Sequence, residues 1–432
     1  MQLYSIFLKH SVICTDSRVC PQGSLFFALK GDNFNANAFA LSAIEKGCAY
    51  AVVDEAEYAI DERFILADNV LETLQALARY HRQQIGTTII GITGTNGKTT
   101  TKELIATVLK EKYNILYTQG NLNNHIGVPL TLLQLKADHE LAVIEMGANH
   151  PGEIKLLAEI ACPDYGIITN VGKAHLEGFG SFEGVMKTKA ELYNYIVSAG
   201  KKVFINNDNP YLLEMLAWSG LIDAEQKIAY SQKESNGEIT GRITDCSPFL
   251  EMSCHQKDGT IFEIKTHLIG SYNAENVLAA VTIGNYFGLS NEQIKTGLEN
   301  YVPQNNRSQL TITEKNKLVV DAYNANPTSM RAAILNFAQM NVDAKTLILG
   351  DMLELGELSG EEHQFAVELL KQNNFKNVLL VGPEFKNTKN DYRCFENVSE
   401  LQEFIEEHPI TDNYILIKGS RGIKLEKILT SL

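Results

Sequence analysis

The sequence predicts an α/β protein of three domains: a small N-terminal α/β domain, a central phosphate-loop domain built on a parallel sheet, and a C-terminal Rossmann-like α/β domain. Three observations carry this expectation. At 432 residues the chain exceeds what one hydrophobic core organises, and a typical domain of about 150 residues gives roughly three. From Thr88 onward short apolar runs alternate with helical segments, the pattern of parallel strands joined by crossover helices. The first of those runs ends in the glycine-rich turn Gly94-Thr95-Asn96-Gly97-Lys98-Thr99, which opens a helical segment.

Composition narrows the class of partner. The hydrophobic fraction of 44% and charged fraction of 21% are those of an ordinary globular chain, so no disordered tract needs explaining. A formal net charge of -14 opposes nucleic acid or an anionic membrane as partner, since either needs clustered Lys and Arg. Cys14, Cys20, Cys48, Cys162, Cys246, Cys254 and Cys394 are odd in number and scattered, without a Cys-x-x-Cys pair. Neither zinc nor dithiol chemistry is expected from that spacing, and a reducing compartment fits. The stretch Met1–Val12 lacks the pattern of a signal peptide, and no apolar run approaches the roughly 18 residues of a membrane span. The expected location is the cytoplasm.

The elements follow in order. In residues 1–86 the runs Ser24–Leu29, Tyr50–Val53 and Arg63–Ala67 predict strands, and Asn69 with Glu72 has the spacing of a capping box before a helix whose buried face is Val70, Leu74, Leu77 and His81. In residues 87–304 strands are expected at Thr88–Thr93, Leu141–Glu145 and Tyr165–Asn170. Within Ile239–Leu268 two β-rich runs flank Asp258-Gly259, a hairpin signal that predicts an antiparallel edge or inserted ribbon. Ser290 and Gln293 predict a second capping box, and the polar stretch Tyr301–Gln309 a linker. In residues 305–432 strands at Leu318–Asp321, Thr346–Leu349, Val378–Val381 and Tyr414–Ile417 alternate with helices.

The strongest chemical signal is the run from Thr87 to Thr101. Successive backbone N–H groups at such a turn and at the following helix start converge on anionic oxygens, with Lys98 reaching phosphates and Thr99 able to ligate Mg²⁺. The strict pattern G-x-x-x-x-G-K-[ST] would require glycine at position 92, which is Ile92, so the match is one of chemistry rather than of spelling. Glu145 ends its apolar run beside this loop, where open α/β sheets bind ligands, and would serve Mg²⁺. His175 lies just past another strand on the same edge. By residue type alone Lys187 and Lys189 are solvated lysines opening a helix.

Gly94–Thr99, Glu145-Met-Gly-Ala-Asn-His150, Asn170-Val-Gly-Lys-Ala-His175, Lys189-Ala-Glu191, Gly270-Ser-Tyr-Asn-Ala-Glu-Asn276 and Asp321-Ala-Tyr-Asn-Ala-Asn-Pro327 together resemble the Mur ligases of peptidoglycan synthesis, in order and spacing along nearly the whole chain. The segments Thr118–Asn124, Tyr323–Pro327 and Gly350–Gly356 are most similar to the branch that adds D-alanyl-D-alanine to UDP-N-acetylmuramoyl-tripeptide. The resemblance implies a first domain for the UDP-sugar, with Asp16, Ser17, Arg18 and the Phe27–Gly31 turn as contacts, and Asn123 and Asn124 near the sugar substrate. It implies ATP on Gly94, Thr95, Asn96, Gly97, Lys98, Thr99 and Thr100, with Asn276 on adenine, Arg307 on a phosphate and Asp321 on the ribose. Relatives often carry His where this chain has Tyr272, which puts an adenine contact there in doubt. Tyr323, Asn324 and Asn326 are implied substrate residues, and Lys418-Gly-Ser-Arg421 an active-site rim.

The implied reaction joins a carboxylate to an amine through an acyl phosphate. Lys98, Glu145, His175 and Lys189 would be catalytic, with Mg²⁺ on Thr99 and Glu145 and a second ion on His175 and Lys189. An ammonium cannot bind a cation, so Lys189 would act as a carbamate. The expected state is a monomer. Two alternatives stay open: another amide ligase of the same fold, adding one amino acid to the nucleotide-sugar or glutamate to a folate, and a non-catalytic regulator using the loop as a nucleotide switch.

Overall fold

The computed structural model describes residues 2–31, 33–220, 224–233, 237–304 and 306–432. The chain packs as two compact units, one of Met1–Ile92, Tyr113–Ala148 and Gly152–Gly166, the other of Thr93–Lys112, Asn149–Pro151 and Ile167–Leu432. No helix among the described residues is long and apolar enough to cross a membrane.

Three α/β sheets organise the chain. The first has four parallel strands in the order Ile13–Cys14, Leu25–Phe27, Tyr50–Val53 and Phe64–Leu66. Leu25–Phe27 and Phe64–Leu66 are shorter than the apolar runs Ser24–Leu29 and Arg63–Ala67, and just past the first of these Lys30–Gly31 pairs with Phe34–Asn35 in a separate ribbon. The helix Val70–Ile85 begins where expected: the Asn69 side chain accepts from the Glu72 N–H, so the Asn half of the predicted capping box is present. Val70, Leu74, Leu77 and His81 are all buried. His81 Nε2 donates to Leu135 O at 2.9 Å, and burial lowers the imidazole pKa.

The last turn of this helix holds a buried charge. Arg82, 7% exposed, donates to Ala161 O and Cys162 O, each at 3.1 Å, and to the Asp164 carboxylate at 2.8 Å. That carboxylate also accepts the Ile89 N–H at 2.9 Å. Removing the guanidinium takes a donor from two carbonyls and a carboxylate at once. We expect Arg82→Ala to cost about 2–3 kcal/mol, read as a lower urea midpoint at unchanged slope; an unchanged midpoint would show that the pair contributes nothing.

The second sheet has nine strands, in the order Ile261–Ile269, Phe249–Gln256, Ile239–Cys246, Lys227–Ser231, Lys202–Asn206, Tyr165–Ile168, Thr88–Thr93, Leu141–Glu145 and Ile115–Tyr117. Thr88–Thr93 and Leu141–Glu145 are parallel neighbours with the bounds expected. The run at Tyr165 stops at Ile168, two residues early, because Thr169 and Asn170 turn to hydrogen-bond the phosphate loop. The Ile239–Leu268 region is the antiparallel edge, but it holds three strands rather than two: a further turn at Ser247-Pro248 divides the first run.

The C-terminal sheet has the order Gln309–Ile312, Lys317–Asp321, Tyr414–Lys418, Lys345–Gly350, Val378–Val381 and Arg393–Phe395, parallel except for its first strand. The two short edge strands Gln309–Ile312 and Arg393–Phe395 escaped the sequence reading, and Gln309 belongs to a strand rather than to the linker. Asn305, the expected start of this domain, lies outside the described residues. The capping box of Ser290 and Gln293 is present in both directions.

Candidate active site

The glycine-rich turn is shaped by what lies against it. Gly94 has φ +144°, and a Cβ there would sit 2.0 Å from Thr169 Oγ1. Gly97, φ +76°, caps the helix Lys98–Lys110, and its Cβ would meet Asn276 Oδ1 at 2.7 Å. Only glycine fits both conformation and space. The Thr169–Gly172 segment then fixes the loop: Thr95 N donates to Asn170 O at 2.9 Å, Asn96 N to Asn170 Oδ1 at 2.9 Å, Thr169 Oγ1 to Asn96 O at 2.6 Å and Gly172 N to Thr95 Oγ1 at 3.0 Å. Lys98 Nζ donates to Gly94 O at 2.7 Å and Thr95 O at 3.1 Å. With Thr99 and Thr100 in the first turn, the loop presents a helix N-terminus, an ammonium and no carboxylate, a donor set that fits a polyphosphate.

A second group stands in the same unit. His175 Nδ1 contacts the Glu354 carboxylate, and both residues have left-handed backbone, at φ 49° and 63°. Such conformations cost non-glycine residues energy and persist where surrounding structure imposes them. Here the imposing structure is visible. The Asp351 carboxylate accepts the N–H groups of Glu384 at 3.0 Å and Phe385 at 2.9 Å, Met352 N donates to His363 Nε2 at 3.0 Å, and Leu353 N to Ser420 Oγ at 2.9 Å. Burial lowers the His175 pKa; the Glu354 carboxylate opposes that shift, while Lys98 and Lys189 add to it. Lys98, His175, Lys189 and Glu354 are thus one electrostatic cluster.

Lys189 corrects the reading of a solvated lysine. It stands in the middle of the helix Phe182–Ser198 rather than at its opening, and is 3% exposed, because Val185, Met186, Leu192, Tyr193 and Ile196 share its buried face. Its ammonium lies 5.5 Å from the Phe179 ring centroid. Lys187, off that face, pairs with Glu183 in solvent as expected.

The C-terminal domain meets the loop directly. Asn326 Nδ2 donates to Asn96 Oδ1 at 2.7 Å, while Asn326 Oδ1 caps the helix Pro327–Gln339 through Ser329 N. Lys173 Nζ bonds Glu362 at 2.7 Å. Asn276 is engaged by Thr101 Oγ1 at 2.9 Å and by Asn273 Oδ1 at 2.8 Å, and an open cleft lined by Ser271, Tyr272, Glu275 and Asn336 lies at the start of its helix. Tyr272 OH shares a hydrogen bond with Ser308 Oγ at 2.8 Å. The Arg307 guanidinium stacks on Tyr323 at 3.8 Å, with Arg421 at 5.5 Å from the same ring. Buried Lys418 donates to the Asp321 carboxylate at 2.6 Å and to Asn324 O at 3.4 Å.

The first unit holds the remaining expected residues. Glu145 is 1% exposed; its N–H donates to Thr118 Oγ1 and its Oε1 accepts from Asn123 Nδ2, both at 2.9 Å. Asn124 Oδ1 accepts from Ile126 N and Gly127 N, starting the helix Gly127–Leu132. Asp16 accepts from Arg18 N and Nε at 2.9 Å and Nη2 at 2.7 Å, which lowers its carboxyl pKa to about 2, and Ser17 O accepts from Lys46 Nζ at 2.7 Å. Arg18 is left exposed at the turn.

Sequence reasoning missed Glu354, Glu362 and the role of Lys418 as partner of Asp321. Each depends on a contact between distant segments, although Glu354 lies within the quoted segment Gly350–Gly356.

Residues 92–284 match the family model for the Mur ligase middle domain, and residues 306–421 that for the Mur ligase glutamate ligase domain. Over the full length the chain is similar to the UDP-N-acetylmuramoyl-tripeptide--D-alanyl-D-alanine ligase of Bacillus subtilis (strain 168), at 36% identity over 97% of this chain and 92% of the relative. Crystal structure I of MurF from Acinetobacter baumannii superposes with a TM-score of 0.87 at 31% identity, covering 97% of this chain and 92% of that one. The MurF ligase from Thermotoga maritima in complex with ADP gives 0.86 at 25% identity, covering 97% and 96%. A phosphate loop, an acidic strand end and a His–Glu–Lys cluster on a three-sheet α/β frame, matched along both chains, make this protein a member of the Mur ligase family.

Proposed function

We propose that the chain is an ATP-dependent amide ligase that joins D-alanyl-D-alanine to UDP-N-acetylmuramoyl-tripeptide in cytoplasmic peptidoglycan precursor synthesis, acting as a monomer. The observation that carries this reading is the electrostatic cluster of Lys98, His175, Lys189 and Glu354 at the phosphate loop. A nucleotide switch needs the loop; it needs neither His175 in contact with Glu354 nor a lysine buried at position 189. Domain boundaries are placed at 1–86 for the UDP-muramoyl substrate, 87–304 for ATP and 305–432 for closure over the site.

Joining a carboxylate to an amine in water requires a better electrophile, and ATP supplies it by passing its γ-phosphoryl group to the tripeptide carboxylate. Lys98 and the helix N-terminus offset charge on the transferred group. Asn276 holds the adenine end, Asp321 the ribose and Arg307 a phosphate. The hydroxyl of Thr99 is a hard oxygen donor of the kind that would suit Mg²⁺, and so is the carboxylate of Glu145, whose Oε1 accepts from Asn123 Nδ2. His175 and Lys189, the latter as a carbamate, would hold a second ion, which would offset charge on the reacting oxygens, and the Glu354 contact on Nδ1 would leave His175 Nε2 as the ligating nitrogen. Asp16, Ser17 and Arg18 contact the UDP end, Asn124 and Asn123 border the sugar, and Tyr323, Asn324 and Asn326 border the acceptor.

The dipeptide is the acceptor this reading requires. Single D-alanine offers the same kind of amine but fewer contacts, and so loses remote binding energy that positions the amine. Phosphate release with the UDP-tripeptide should depend on D-alanyl-D-alanine and fall at least roughly tenfold in kcat/KM with D-alanine, about 1.4 kcal/mol of lost contact. Equal kcat/KM for the two would move the chain to an amino-acid-adding branch, and phosphate release indifferent to any acceptor would favour a regulator.

A further inference from the structure

Three cysteines scattered in the sequence converge at the N-terminal sheet. Cys14 ends the strand Ile13–Cys14, Cys20 follows the turn that carries Asp16, Ser17 and Arg18, and Cys48 precedes the strand Tyr50–Val53. Leu25–Phe27 pairs with both strands and so draws the flanking segments together. The three sulfurs all lie within 4.8 Å of one another. Cys14 and Cys48 are each 4% exposed, whereas Cys20 is half-buried, so the group has one side open to solvent.

The thiols make weak contacts. Cys14 Sγ donates to Asp16 O at 3.3 Å and Val19 O at 3.1 Å, Cys20 Sγ to Ser17 O at 3.5 Å, and Cys48 Sγ meets Ser24 Oγ at 3.2 Å. Among the described residues this is the one group of three metal-ligating side chains so close together.

We propose that Cys14, Cys20 and Cys48 form a trithiolate site for a thiophilic d¹⁰ cation of the Zn²⁺ kind. Tetrahedral ligation with Zn–S bonds of about 2.3 Å sets sulfurs about 3.8 Å apart. The cluster therefore needs to close by about 1 Å, a change within reach of side-chain rotation at the half-buried Cys20. Three soft sulfurs select such an ion over Mg²⁺ or Ca²⁺. Binding exchanges three S–H protons, released to the buffer, for three metal–sulfur bonds, and water completes the fourth position. A metal displaces the thiol protons as it binds. An ion held by Cys14 and Cys20 would clamp both ends of the Thr15–Val19 turn between them. The site itself stands independently of the proposed reaction.

The intact chain, reduced with a phosphine and freed of metal, is titrated with Cd²⁺ while the near-ultraviolet thiolate-to-metal charge-transfer band is followed. A band that saturates at one equivalent and protects three of the seven thiols from a disulfide reagent is expected, with Zn²⁺ displacing Cd²⁺. Cys20→Ser changes the exposed ligand and should leave far-ultraviolet dichroism intact. It should bind at least roughly tenfold more weakly, since even changes to the outer partners of a metal site cost 10–100-fold. A triple variant at Cys162, Cys246 and Cys394, all to Ser, should keep the full band. Absence of one-equivalent binding in the parent, a full band in Cys20→Ser, or loss of the band in the triple variant would each overturn the assignment.

Discussion

Lys98→Ala is expected to lose at least roughly 10³-fold in turnover, as removal of a main transition-state charge partner does, with an unchanged unfolding midpoint. The side chain is half-buried at the loop surface and donates to the carbonyls of Gly94 and Thr95. Its loss empties no core. A phosphoryl group in flight spreads negative charge over its oxygens, and the helix N-terminus offsets only part of it, because the macrodipole is worth about half a charge. ADP formation under saturating substrates, alongside urea unfolding of the same preparation, separates the two effects. A folded Lys98→Ala protein with full activity would remove the loop from the chemistry.

Lys189 should be nearly as sensitive, and in a way that identifies its chemical form. Carbamate formation needs a neutral amine and CO₂; Lys189 is 3% exposed on the buried face of its helix. Lys189→Ala should abolish nearly all turnover, and a small free carboxylate such as acetate should restore part of it by occupying the space of the carbamate. Lys189→Arg keeps a positive charge and fills similar volume, yet cannot ligate a cation, so it should fail as well. An arginine variant that turns over like the parent would show that Lys189 supplies only charge, and that other groups hold any second ion.

Much of the frame is legible in the chain because it rests on local rules. Thr88–Thr93, Leu141–Glu145 and Val378–Val381 are apolar runs flanked by turn residues, and they are strands with the bounds their sequences imply. The cap at Ser290 uses an interaction three residues long. The shortfall lies where tertiary hydrogen bonds outweigh local preference: Thr169 and Asn170 are strand-like by residue type but are drawn out of the sheet to brace the loop. Gln309–Ile312 and Arg393–Phe395 are too short for periodicity to register, and depend on a neighbouring strand.

The site divides the same way. Gly94, Gly97 and Lys98 are readable because backbone geometry at a phosphate loop admits few residues. Lys189 carried a signal that residue type obscured: it falls three and four residues from Val185, Met186, Leu192 and Tyr193, on the buried stripe of its helix, whereas Lys187 does not. Glu354 and the cysteine cluster had no such signal, since each forms only when segments far apart in the chain fold together.

The central claim, activation of a carboxylate by phosphoryl transfer, has a direct atomic consequence. The carboxylate oxygen that attacks the γ-phosphoryl group stays on phosphorus when the amine displaces phosphate. With ¹⁸O in the terminal carboxylate of UDP-N-acetylmuramoyl-tripeptide, and ATP and D-alanyl-D-alanine in ordinary water, mass spectrometry should find one labelled oxygen in each phosphate released. Unlabelled phosphate accompanying amide formation would contradict the account, because it would mean that water, not the substrate carboxylate, receives the phosphoryl group.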